Sequence, residues 1–138
     1  MVMSVLNEFL TLPADPTAAH HARKCTTRLC TAAGLDSELA DTAVLLTSEV
    51  VTNAVLHGRS AARLTVTCSK TGVRVEVGDD NSRRPVLHAP HDLDALNGRG
   101  MYLLDACATA WGVLPDPFGK IVWFEIGMIN SRSRHPVS

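Results

Sequence analysis

Hydrophobic and polar positions divide the chain into three helical stretches, one of them short, and five extended ones. A short apolar stretch, Phe9 to Leu12, reads as an edge strand that ends at Pro13. Asp15-Pro16 then has the form of an N-cap followed by proline in the first helical position. The helix it opens runs to about Ala33 and stops at Gly34. A second start signal, Asp36-Ser37-Glu38, opens a longer apolar helix that ends at Gly58, a suitable left-handed C-cap. Two strands follow, Arg63 to Ser69 and Val73 to Gly78, joined by the turn Lys70-Thr71-Gly72. In the second of them Val73, Val75 and Val77 alternate with Arg74 and Glu76. From Asp79 to Asn97 the pattern becomes polar and irregular around Pro85 and Pro90, a loop long enough to be a functional lid or a disordered segment. A short helix from about Gly100 to Cys107 precedes a last hairpin, Thr109 to Leu114 and Lys120 to Ile126, with Pro115 to Gly119 as its turn. The tail from Asn130 is basic and polar, and no internal repeat is visible.

This order predicts an α+β fold: a two-layer sandwich with a mixed, mostly antiparallel sheet and the helices on one face. Residues 9–127 form the expected domain, with an N-terminal tail at 1–8 and a flexible C-terminal tail at 128–138. At 138 residues and 14.8 kDa the chain is the size of one domain. Its net charge of -1 gives no electrostatic case for binding nucleic acid. The sequence has neither an uninterrupted apolar run of membrane-spanning length nor a basic segment ahead of an apolar N-terminus, so it reads as cytoplasmic. Cys25, Cys30, Cys68 and Cys107 form no C-x-x-C pair and read as buried free thiols; a metal site joining Cys25 to His20 or His21 is the minor alternative.

The second helix carries the most informative chemistry. Glu49, Asn53 and His57 recur every four residues, so they stack along one face, flanked by Val50, Val51, Ala54 and Val55. A carboxylate and an amide set among apolar residues cost free energy unless each finds a partner, and a hard cation with a phosphate ligand would serve both. The plainer explanation is the solvated face of an amphipathic helix. Asp79 directly follows the valine strand, with Asp80 and Asn81 prolonging the polar cluster. A carboxylate there can accept a hydrogen bond from an exocyclic amine, or simply start a turn. Asn97-Gly98-Arg99-Gly100 precedes the short helix, where backbone N–H groups, the helix dipole and Arg99 suit a phosphate; a glycine-rich turn is the alternative.

Taken together and in this order, these features resemble the Bergerat-fold ATPases over about residues 9–127. The spacing Glu49-x3-Asn53-x3-His57-Gly58 looks most like the small anti-sigma-factor serine kinases of bacterial partner-switching systems. The resemblance implies a histidine kinase-like ATPase sandwich that binds ATP and Mg²⁺. In it Glu49 is the catalytic base or orienting group and Asn53 the metal ligand. Asp79 meets the adenine amine, Gly98, Arg99 and Gly100 line the phosphates, and Met101 belongs to the same cofactor-binding set. His57 and Asn81 complete the expected cofactor-binding set, although the helix C-terminus accounts for His57 equally well. One departure stands out: the family pattern Asp-x-Gly-x-Gly is here Asp79-Asp80-Asn81-Ser82-Arg83, with both glycines missing. The implied partners are a sigma factor and an anti-anti-sigma-type antagonist, without nucleic acid or membrane, and a homodimer is admissible. Three readings stay open: a serine kinase, a nucleotide-binding regulator without catalysis, and an α+β interaction domain without nucleotide.

Overall fold

The computed structural model describes residues 4–58, 60–80 and 102–129; for His57 and Gly58 it describes the backbone only. The elements are β1 (Leu6–Leu12), α1 (Thr17–Ala33), α2 (Ser37–Gly58), β2 (Ala62–Cys68), β3 (Gly72–Asp79), β4 (Ala110–Asp116) and β5 (Gly119–Gly127). Residues 102–107 are also helical. The strands make one sheet in the order β1-β2-β3-β5-β4, and each of its four pairings is antiparallel. Both long helices cover the same face: α1 packs on β1 and β2, and α2 on α1, β3 and β5. The fold is the expected α+β sandwich, with a sheet that is antiparallel throughout its described strands.

Local chemistry explains the helix boundaries. Asp15 Oδ1 accepts a hydrogen bond from the Thr17 backbone N–H at 2.8 Å and another from the Thr17 hydroxyl, satisfying a donor that the first turn leaves unpaired. Those two hydrogen bonds hold the Asp15 carboxyl below its ordinary range. Gly34 ends α1 at φ 78°, a left-handed conformation that glycine adopts without a Cβ penalty. Asp36 Oδ2 accepts from the Glu38 N–H at 3.1 Å and starts α2 in the same way.

Two boundaries differ from the sequence expectation. β1 begins at Leu6, inside the stretch expected to be a tail, and is an edge strand as anticipated. Glu8 disguises its alternation, because it takes a helix-facing position between Leu6 and Leu10 and is balanced there by an ion pair with Arg28 of α1. The last hairpin is longer and its turn tighter than expected. Pairing continues to Asp116 and Gly119, leaving Pro117 and Phe118 as the turn. Pro115 is tolerated because β4 lies at the sheet edge.

The core lies between the layers. Leu64, Val66, Val73, Val75 and Phe124 from the sheet meet Leu46, Val50 and Val51 from α2, with Leu104 of the short helical segment, all essentially inaccessible to solvent. α2 is long and apolar enough to cross a bilayer by length and composition, yet it is the central packing helix of this core. Three cysteines are buried as expected, but Cys107 is exposed because it ends the short helical segment on its outer side. Burial pushes the Cys25 thiol up, and a contact with Cys68 followed by burial does the same to Cys30. Among the described residues there is no group of three or more His, Cys, Asp or Glu side chains that could hold a metal ion.

Candidate functional site

Helix α2 buries the wrong side chains for a simple amphipathic helix. Its exposed line includes Leu45 and Leu56, 45% and 54% accessible, whereas Glu49 and Asn53 are half-buried. The polar stripe is therefore turned partly inward while leucines face solvent, which the solvated-face explanation does not produce. Asn53 is the sharper case: its Nδ2 is fully buried without a hydrogen-bond partner among the described residues. Such an orphan typically costs about 1–3 kcal/mol. Replacing Asn53 with leucine, close to it in size, is accordingly expected to raise the thermal stability of nucleotide-free protein by part of that amount; a lower melting temperature than wild type would mean the amide is satisfied in solution.

The second part of the site lies where β3 ends. Asp79 shares the inward parity of Val73, Val75 and Val77, so its carboxylate enters the helix-covered side of the sheet, the same side as α2. It is 1% accessible. Directly across the ladder stands Lys120 of β5, 8% accessible, and its Nζ donates to Asp79 Oδ1 at 3.1 Å and lies 3.0 Å from Oδ2. Gly119 makes this approach feasible. A Cβ there would fall 1.9 Å from the Asp79 carbonyl oxygen, so any larger residue would push β5 away from β3 at the pair.

On the opposite side of the same strand end, Arg63 contacts Asp80 at 3.0 Å and Asp116 at 3.7 Å. The Asp80 N–H donates to Ser60 Oγ at 3.3 Å. Asp80 is thus held in place by its own contacts, and the two consecutive aspartates have different surroundings: Asp80 is outside and tied to Arg63, Asp79 inside and tied to Lys120.

Of the residues singled out from sequence, the structure brings Glu49, Asn53 and Asp79 to one side of the sheet. The side chain of His57 lies outside what is described, as do Asn81, Gly98, Arg99, Gly100, Met101 and the expected lid. Lys120 was missed. The signal for it was available, because Lys120 falls on the inward parity of β5 with Val122, Phe124 and Ile126, where an unpaired cation would be costly.

The donor set fits an ion held mainly by a ligand rather than by a protein cage. Magnesium commonly takes one or two protein oxygens with phosphates and waters, and a half-turn of the Asn53 amide exchanges its nitrogen and oxygen at the buried orphan position.

Comparison with known proteins bears on the fold and the family. Among solved structures, the RsbU and RsbW domains of Rv1364c from Mycobacterium tuberculosis superpose with a TM-score of 0.68 at 19% identity, over 88% of this chain and 32% of that one. This chain therefore spans about a third of that neighbour, and the likeness speaks to fold. No curated protein matches. The model of the histidine kinase-like ATPase domain matches residues 12–126, from the end of β1 nearly to the end of β5. That span contains Glu49, Asn53, Asp79 and Lys120, and the chain belongs to the histidine kinase-like ATPase domain family.

Proposed function

We propose that the protein is an ATP-dependent serine kinase of the anti-sigma type, which binds a sigma factor and phosphorylates a serine on an antagonist protein in the cytoplasm. The observation that carries the nucleotide part is the inward-turned stripe of α2 with the orphaned amide of Asn53, because an apo protein gains nothing from burying it. Asp79 would accept a hydrogen bond from the adenine amine, and Asn53 would hold Mg²⁺ through its amide oxygen. When bound, that ion supplies charge neutralisation across the phosphates. Glu49 would orient the serine hydroxyl of the antagonist and take its proton. Gly98, Arg99 and Gly100 would contact the phosphates, and His57, Asn81 and Met101 would complete the nucleotide site. The sigma factor, the antagonist and a homodimer rest on the spacing of the motif helix and its resemblance to the partner-switching kinases. Glu49 favours a kinase over a regulator that works by binding alone, since a pure binder does not need a base.

Isothermal calorimetry tests the foundation. Wild type is expected to bind ATP in a Mg²⁺-dependent way, and Asp79→Asn to bind about ten- to a hundredfold more weakly, the usual value of one charged hydrogen bond. Because that change also removes the counter-charge of Lys120, cooperative melting of the variant is checked first. Absence of heat with millimolar Mg-ATP, or equal affinities for the two proteins, would overturn the site.

A further inference from the structure

Two of the buried cysteines touch. Cys30 lies in the last turn of α1 and Cys68 is the last residue of β2, 38 positions further along the chain, yet their Sγ atoms are 3.7 Å apart where the helix packs on the sheet. Each is inaccessible to solvent, and both are free thiols. A solitary buried thiol is an inert filler of a core. Two in contact behave differently, because each changes the acidity of the other. The Cys30 thiol, hydrogen-bonded to Cys68, holds the Cys68 thiol below its ordinary value although burial opposes it, while the same contact and burial push Cys30 up. Cys68 is therefore the one that more readily takes the negative charge that makes sulfur a nucleophile, with a second thiol already beside it.

We infer that Cys30 and Cys68 form an oxidation site, at which a small peroxide closes a disulfide between α1 and β2. The Cys68 thiolate attacks one peroxide oxygen, the O–O bond breaks, and the sulfur becomes a sulfenic acid as hydroxide leaves and is protonated to water. Cys30 then attacks the Cys68 sulfur; the S–O bond breaks, and the departing hydroxide takes the Cys30 proton as a second water. Two thiols lose two electrons and two protons, and hydrogen peroxide is reduced to two waters. Both residues stand at the ends of their elements, where local opening disturbs least of the structure and admits a small neutral oxidant. The ring so closed contains all of α2, Glu49 and Asn53 included. The cross-link thus restricts the unfolded chain around the helix that carries the candidate site, and it does so whether or not nucleotide binds there.

The test uses the whole chain with Cys107→Ser, which removes the exposed thiol and with it cross-links between molecules. The protein is treated with millimolar hydrogen peroxide, unfolded, alkylated and examined by mass spectrometry. Of the three thiols left in this variant, Cys25 alone is expected to be alkylated, the protein is expected to be lighter by two hydrogens, and one peptide pair should be joined from Cys30 to Cys68. The oxidised form should melt about 5–15 °C above the reduced one and lose that gain on adding dithiothreitol. Neither Cys30→Ser nor Cys68→Ser in the same background should form a disulfide. Three alkylated thiols after peroxide, a disulfide through Cys25, added oxygen without a cross-link, or a cross-linked form that melts no higher than the reduced one would each overturn the inference. Should a serine at position 30 or 68 prevent folding, the thiol count and cross-linked peptides of Cys107→Ser alone decide, because they need no change in the buried pair.

Discussion

Changing Glu49→Ala is expected to slow transfer of the γ-phosphate to a serine on the cognate antagonist by about a hundred- to ten-thousandfold, the contribution typical of a positioned general base. Glu49 is the single acid on the polar stripe of α2, and it sits one turn before Asn53 on a helix that is fixed against the core by Val50, Val51 and Ala54. Truncating it leaves the proposed contacts to the base and to the metal in place, so ATP affinity should stay within about threefold of wild type if the residue acts only in the transition state. Asn53→Ala is expected to behave differently and lose both affinity and transfer, because the metal and phosphates are then unplaced. Radiolabel transfer measured beside calorimetry distinguishes the two variants. Transfer by Glu49→Ala at the wild-type rate would remove the base, and an antagonist that binds wild type without being phosphorylated would shift the account to a regulator acting by binding alone.

The largest effect on stability is expected at Phe124. Its side chain is fully buried, with Val75 of β3 opposite it on one side and Trp111 of β4 on the other. Both neighbours belong to packed strands, so little can collapse into the space an alanine would leave. Phe124→Ala should therefore cost about 3–5 kcal/mol, which for a domain of this size is roughly 10–20 °C in melting temperature. Phe118 provides the control, since it lies in the β4–β5 turn at 78% accessibility. Its replacement by alanine should change stability by no more than about 0.5 kcal/mol. Equal losses at the two positions in thermal melts would contradict the core assignment. Because Phe124 and Lys120 share a face of β5, a loss of register there should also weaken nucleotide binding.

Much of this architecture can be read from the chain because its signals are local. Asp15, Gly34 and Asp36 bound the helices through hydrogen bonds and backbone conformations that span only a few residues. The valines of β3 announce a strand by parity alone. What escaped has a non-local cause in each case. Glu8 hides the start of β1 because its compensating charge, Arg28, belongs to another element. The placement of β5 between β3 and β4 depends on pairing across more than forty positions of sequence, as in Asp79 with Lys120. For the same reason the lysine stayed unnoticed beside a turn, although both members of the pair violate the apolar parity of their strands. On α2 the spacing of Glu49 and Asn53 located the candidate site, but only the packing distinguishes an inward-turned stripe from a solvated one.

The central claim, that adenine nucleotide and its metal occupy the side of the sheet shared by α2 and Asp79, is tested most directly at the orphaned amide. In nitrogen-labelled protein the Asn53 side-chain NH₂ signals are identified by their disappearance in Asn53→Ala, then followed by NMR during titration with Mg-ATP. They are predicted to shift to a new saturable position along with the backbone signal of Asp79, and to return toward the free position when the metal is chelated. Asn53 signals that stay unmoved at millimolar Mg-ATP, whether or not other regions respond, would contradict the account.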